Sequence, residues 1–346
     1  MRILVVSDAW IPQVNGVVRT LATLKDQLED CGHHVVMVTP DRFRTIACPT
    51  YPEIRLAVGP AAGVARMIEA AQPCAIHIAT EGPLGWAARR YCLRRKLPFT
   101  TAYHTRFPEY LQARFRVPLP LSYAVMRRFH HPSSCIMVAT QGIEDELVRR
   151  GFGNIRRWSR GVDTELFRPR PEARGEHGPF AGLPRPIFLY VGRVAVEKNI
   201  EAFLALDLPG TKAVVGDGPL LDDLRRRHPQ VHFAGARLGE DLAVHYAGGD
   251  VFVFPSRTDT FGLVLLEALA SGLPVAAYPV PGPADVIGTS PVGALDEDLE
   301  RAALIALTAD SIRCRDHALG FSWAASARQF MDNLRPFETP AWRAAE

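Results

Sequence analysis

Nowhere does the chain run 18 or more apolar residues together, so no segment is long enough to cross a bilayer as a helix. Cysteine is sparse and carries no metal or redox spacing. Cys31, Cys48, Cys74, Cys92, Cys135 and Cys314 include no C-x-x-C pair, and that usage fits free thiols in a reducing compartment. Charge of one sign is also lacking, since 40 basic and 37 acidic residues leave a net +3, too little to argue for a nucleic-acid partner. No G-x-G-x-x-G follows the first apolar run, which removes the main support for an NAD-binding first domain. The N-terminal MRILVVSDAW has a short apolar run and an acid at position 8, so it reads as a strand and not as a signal peptide. The expectation is cytoplasmic residence, peripheral at the inner face of a membrane.

What is present is an ordinary globular composition, 47% hydrophobic and 22% charged, in 346 residues that allow two or three domains. Apolar runs at 3–7, 34–39, 75–80, 99–104 and 135–140 alternate with helical patterns at 17–30, 61–71, 83–95, 121–130 and 142–150. Strands apolar on both faces and separated by helices predict βαβ units and a parallel sheet. The pattern stops at 169–186, which holds five prolines and three glycines, and restarts with runs at 187–193, 213–218, 231–235, 251–255 and 274–278. The fold class is therefore α/β, with two Rossmann-like doubly wound domains facing a cleft. Residues 1–168 form the N-terminal acceptor domain, 169–186 the linker and 187–320 the C-terminal donor domain; 321–346 hold a helix and tail that could cross back to the first domain. The mild total charge hides a polarity: residues 1–169 carry 23 basic and 14 acidic residues, a net +9, against 17 and 23, a net −6, in the rest.

Several polar residues follow predicted strands, where open α/β sheets bind ligands. Gly16 opens the first helix, where a missing Cβ serves either loop geometry or close approach of a phosphate. Arg193 and Lys198, five apart after a strand, suit a diphosphate or a solvated surface pair. In FPSRTDTFGLVLLEALASGLPV (254–275), Asp259 and Glu267 stand eight apart around a helix N-terminus. Two carboxylates there suit hydroxyl donors, while the amides of Phe261, Gly262 and Leu263 face an anion. Glu267 lies in a helix apolar nearly all round, so its carboxylate needs a reason. His104 and Glu81 occupy strand-end positions of the same kind, open to a structural or a proton-transfer role.

At PQVNGVVRT, AYHTRFPEY, RGVDTELFRP, YVGRVAVEKN, VVGDGPLL, VFVFPSRTDTFGLVLLEALASGLPV and SWAASARQF the chain resembles the family 4 glycosyltransferases of the two-domain GT-B fold, from residue 1 to about 335. That family carries two glutamates eight apart in the segment matching 254–275, and this chain has Asp259 in the first place and Glu267 in the second. The resemblance implies that Glu267 holds the nucleotide ribose and Asp259 the donor sugar hydroxyls. Arg193, Lys198, Gly16 and the amides of Phe261 to Leu263 would neutralise the diphosphate, with His104 beside the transferred sugar. Glu81, Tyr103 and Arg106 are placed on the acceptor side. It further implies sugar transfer from a nucleotide donor with retention at the anomeric carbon, without a cofactor or bound metal.

The segment 85–132 has ten Lys/Arg against one acid, interleaved with aromatics, as an anionic membrane surface requires. The whole is closest to bacterial glycolipid enzymes, with UDP-glucose, UDP-glucuronate or UDP-galactose as donor and diacylglycerol or a related lipid or glycolipid as acceptor. The alternatives are a GDP-mannose-dependent mannosyltransferase acting on a glycolipid or polysaccharide, a nucleotide-sugar epimerase, and a non-catalytic sugar-nucleotide binder.

Overall fold

The computed structural model describes residues 1–13, 15–48 and 51–338, and among them the chain divides into two compact units. The first comprises Met1–Ser159 with Trp323–Glu346, the second Arg160–Ser322. The unit boundary thus falls at 159/160, ahead of the Pro/Gly-rich stretch expected as a linker. That stretch is held to the second unit: Arg174 and Arg185 both pair with Asp250, and Ala173 and Phe180 are buried. Prolines and glycines here shape a surface loop that carries its own anchors.

The first unit has strands β1 (Arg2–Val6), β2 (His34–Val38), β3 (Thr45–Cys48), β4 (Tyr51–Ala57), β5 (Ala75–Ile78), β6 (Thr100–Ala102), β7 (Ile136–Val138) and β8 (Ile155–Arg157). Its helices are α1 (Gly16–Asp30), α2 (Ala61–Ala71), α3 (Pro83–Arg95), α4 (Phe107–Phe115), α5 (Leu119–His130) and α6 (Gln141–Arg149). Six strands form one parallel sheet in the order β2-β1-β5-β6-β7-β8, and β3 and β4 make a separate antiparallel hairpin. Strand β1 shows why an all-apolar run must be central. Ile3 and Val5 pack with Leu21, Leu24 and Leu28 of α1 on one face, while Leu4 and Val6 pack with Val64, Ile68 and Leu84 on the other.

The second unit repeats the scheme with β9 (Ile187–Val191), β10 (Thr211–Val215), β11 (His232–Gly235), β12 (Val251–Phe254), β13 (Val275–Ala277) and β14 (Gly293–Leu295), ordered β11-β10-β9-β12-β13-β14 and parallel throughout. Its helices are α7 (Ile200–Leu204), α8 (Leu221–Arg227), α9 (Gly239–Gly248), α10 (Leu263–Ala270), α11 (Pro281–Ile287), α12 (Leu299–Ala306) and α13 (Ser311–Leu319). Helix α14 (Trp323–Asn333) belongs to the first unit, where Ala327 and Phe330 join the core beneath α1 and the indole N–H of Trp158 donates to Ser326 Oγ at 3.1 Å.

In each sheet the chain builds outward on one side, then crosses to the other: between β1 and β5 in the first unit, between β9 and β12 in the second. The carboxyl ends of those strand pairs are where such sheets open a crevice for ligands.

Candidate functional site

The second unit carries four of the expected side chains on the segments that leave the two strands flanking its crossover point. Arg193 and Lys198 follow β9, and Asp259 and Glu267 follow β12. Two segments 61 residues apart meet directly, since Lys198 Nζ donates to Asp259 Oδ1 at 2.5 Å. The Thr258 hydroxyl donates to the Glu197 carbonyl at 3.1 Å, and Asn199 Nδ2 to the Pro255 carbonyl at 3.0 Å, so three bonds tie the two loops together. The Tyr190 hydroxyl donates to the Arg193 carbonyl at 2.7 Å and steadies the turn out of β9. Burial, reinforced by the charges of Asp259 and Glu197, pushes the Tyr190 phenol well above its ordinary value and keeps it a donor. A Cβ on Gly216, after β10, would lie 1.9 Å from the Gly192 carbonyl oxygen, so glycine there lets the β10 turn close on the β9 turn.

Asp259 is pre-bonded on one side only. Its Oδ1 is taken by Lys198, whereas Oδ2 is buried and has no hydrogen-bond partner among the described residues. An orphaned buried acceptor is costly, on the order of 1–3 kcal/mol, and a donor hydroxyl placed there would relieve that cost. Gly262, at φ +87°, caps the start of α10 in the left-handed region that glycine adopts readily. The amides of the first turn lack partners within the helix and carry the positive end of its dipole. Glu267 is 2% exposed, and its Oε2 accepts the Tyr246 hydroxyl at 2.8 Å. Sequence reasoning missed Tyr246, which reads as one more apolar-face aromatic of α9.

In the first unit the strand-end residues serve the fold more. Gly16 begins α1, and a Cβ there would meet no described atom within 4 Å, so the unit's own packing does not demand glycine. Asn15 caps the helix, its Oδ1 accepting from the amides of Val17 and Val18 at 3.0 Å each. Asp8, which follows β1 and was not singled out from sequence, accepts from the Thr80 hydroxyl (2.9 Å) and the amides of Leu84 (2.8 Å) and Gly85 (3.2 Å). Burial raises its carboxyl above the ordinary value against those three bonds. A strand-end acid was visible in SDAW, but its partners lie more than 70 residues away.

His104 follows β6 and sets its ring edge-on to Trp158, centroids 5.6 Å apart. Glu81 is engaged by a histidine that sequence reasoning overlooked. His130, fully buried, places Nε2 3.1 Å from Glu81 Oε1 and Nδ1 2.9 Å from the Thr101 hydroxyl. Tyr103 and Arg106, expected on the acceptor side, both have partners within the first unit. Tyr103 is a core residue packed with Tyr123, Met126 and Val138, and burial pushes its phenol far up. Arg106 donates to Glu146 at 2.7 Å in a cluster that includes Glu109, Tyr123 and Arg150. Burial alone would raise the Glu146 carboxyl, but Arg106 and Arg150 outweigh it and hold the group below its ordinary value. Both residues follow a strand, as a ligand-binding residue does; the side-chain partners that claim them come from α5 and α6.

Comparison with known proteins agrees with the two-unit α/β fold. Residues 14–166 match the family model Glycosyltransferase Family 4, and residues 185–309 match the model Glycosyl transferases group 1. The chain is 29% identical over 316 residues to a GDP-mannose-dependent alpha-mannosyltransferase of Mycobacterium tuberculosis, covering 85% of this chain and 83% of that protein. It is 30% identical over 356 residues to an alpha-monoglucosyldiacylglycerol synthase of Streptococcus pneumoniae, covering 89% and 79%. The sucrose-phosphate synthase of Thermosynechococcus elongatus superposes with a TM-score of 0.78 at 24% identity over 95% of this chain and 97% of its own, which shows the GT-B fold. With its two parallel-sheet units and these relatives, the chain belongs to glycosyltransferase family 4 and is a glycosyltransferase.

Proposed function

We propose that the protein moves a hexose from a nucleoside diphosphate sugar to a lipid or glycolipid acceptor such as diacylglycerol, with retention and without a metal, at an anionic membrane surface. The observation that carries the donor half is the Lys198–Asp259 junction, which joins the loops after β9 and β12 at the crossover of the second sheet. Breaking the sugar–phosphate bond puts negative charge on the departing diphosphate. Arg193, Lys198 and the amides of Phe261 to Leu263 are fixed positive groups that lower that barrier. Asp259 holds the Lys198 ammonium in place through Oδ1 and offers Oδ2 to a sugar hydroxyl. Glu267 takes the ribose hydroxyls, and Gly16 gives backbone access to the diphosphate. His104 is assigned to the transfer step as a hydrogen-bonding or proton-transfer group, and the acceptor oxygen attacks from the leaving-group face.

The lipid half is supported by the outer surface of α4 and α5. Phe107, Leu111, Phe115, Leu121 and Val125 are exposed there, with Arg116 and Arg128 exposed on the same two helices and their ends. Arg94, Arg95 and Lys96 at the end of α3 are exposed as well. Aromatic and aliphatic side chains among cations suit anionic lipid, at about 1 kcal/mol per Lys or Arg near the surface. Charge reversal at Arg94, Arg95 and Lys96, or Phe115→Ser with Leu121→Ser, should release the protein from phosphatidylglycerol vesicles. Unchanged co-sedimentation would sink the membrane reading.

UDP-glucose, UDP-glucuronate and UDP-galactose are the proposed donors. A second reading, GDP-mannose as donor, is favoured by the name of the mycobacterial relative. One experiment tests both: a panel of UDP and GDP sugars incubated with membrane lipid extract, products read by mass spectrometry and anomeric configuration by NMR. The expected product is an α-linked glycolipid formed from an α-linked donor. Inverted configuration, or conversion of the nucleotide sugar with no acceptor present, would overturn the proposal.

A further inference from the structure

We infer that Tyr246 is a positioning residue for nucleotide binding, acting through Glu267; this rests on the reading of Glu267 as the ribose acceptor. Tyr246 lies on α9 and is fully buried, with its hydroxyl 2.8 Å from Glu267 Oε2. A buried carboxylate needs donors and a buried phenol needs an acceptor, so each group answers the other's requirement. The phenol has one proton to give, and giving it to Oε2 fixes the rotation of the carboxylate and therefore the direction in which it meets a ligand.

The ring that carries this hydroxyl is itself held. Phe167 packs edge-on against Tyr246, with centroids 5.6 Å apart and planes at 86°, and Phe252 of β12 lies 5.9 Å away. Phe167 is pinned in turn by Arg315 of α13, whose Nη1 donates to the carbonyls of Phe167 (2.6 Å) and Ala270 (2.9 Å) and whose Nη2 donates to that of Thr164 (2.8 Å). Ala270 ends α10, the helix that bears Glu267. One arginine thus ties the helix of the carboxylate to the segment that backs the tyrosine. Tyr246 touches no ligand in this scheme; it selects the orientation of the residue that does.

Calorimetry with UDP and GDP identifies the diphosphate that the wild-type protein binds more tightly, and that nucleotide is then compared with its 2′,3′-dideoxy form. The ratio of the two affinities reads the ribose contacts alone, and partial unfolding lowers both affinities without changing the ratio. Tyr246→Phe keeps the ring and removes the hydroxyl, and should reduce the ribo-to-dideoxy preference about tenfold. Glu267→Gln should reduce it at least as much, and the double variant no further than Glu267→Gln alone. A wild-type ratio in Tyr246→Phe beside a collapsed ratio in Glu267→Gln overturns the inference and leaves the ribose assignment standing. Equal weakening of both nucleotides by Tyr246→Phe, or additive losses in the double variant, overturns it too. A wild-type ratio in Glu267→Gln removes the ribose assignment and the inference together.

Discussion

Both units are six-stranded parallel sheets with one crossover, with one strand outside β1 in the first and two outside β9 in the second, and they differ in how they use the polar residues at their strand ends. In the second unit, the loops after β9 and β12 bring Lys198 to Asp259 and leave Asp259 Oδ2 buried without a partner among the described residues. In the first, Asp8 is consumed by Thr80, Leu84 and Gly85, Glu81 by His130, and Arg106 by Glu146. The second unit thus joins two loops through one Lys–Asp junction, whereas the first ties its strand-end acids to partners of its own unit and leaves Tyr103 OH, Arg106 Nε and Glu109 Oε2 buried without a hydrogen-bond partner among the described residues. Unmet acceptors and fixed cations are what a ligand can exploit; met ones stabilise the fold.

That contrast can be broken from either side. Lys198→Ala should cost turnover about 10²–10³-fold by removing a charge stabiliser, with a loss of about 1–3 kcal/mol in stability, because the pair is only 25% and 19% exposed and Asp259 Oδ1 loses the Lys198 ammonium. Near-wild-type rates would remove Lys198 from the chemistry. In the first unit the effect should reverse sides: His130→Leu leaves Glu81 buried without its partner and should cost about 3 kcal/mol in urea unfolding. A loss under about 0.5 kcal/mol would mean the dyad is not structural.

Smaller effects sharpen the comparison. Glu146 has its folded carboxyl held below the ordinary 4.5, so its ion pairs contribute above pH 4.5 and are lost as pH falls through the folded value. Glu146→Gln should cost about 1–2 kcal/mol near neutral pH, and the gap to wild type should close on acidification. Parallel stability curves through that range would contradict the ion-pair assignment. Gly16→Ala should change stability by less than about 0.5 kcal/mol, since the added Cβ meets open space, while raising KM for the donor. An unchanged KM would return Gly16 to a purely geometric role.

Much of this was legible in the residues. All-apolar runs such as ILVV and VFVF announced central parallel strands, and the eight-residue spacing of Asp259 and Glu267 placed both carboxylates around the start of one helix. The β3–β4 hairpin, α4, α11, α13 and the short edge strands β8 and β14 went unseen, because brief or mixed segments carry little periodicity. The surroundings of Tyr103 and Arg106 were not legible in the sequence either. They were expected on the acceptor side, and residues on α5 and α6 pack one into the core and pair the other in an ion pair.

Pattern along the chain is a local property, and local patterning was enough for the α/β class, the doubled architecture and the loops that bear the cations and carboxylates. Partnership is a property of residues distant in sequence. Lys198 meets Asp259 across 61 residues, His130 meets Glu81 across 49, and Tyr246 meets Glu267 from a neighbouring helix. Only the packed sheets and helices bring such groups within hydrogen-bond reach, and so only the tertiary structure decided which polar side chains the fold had already spent.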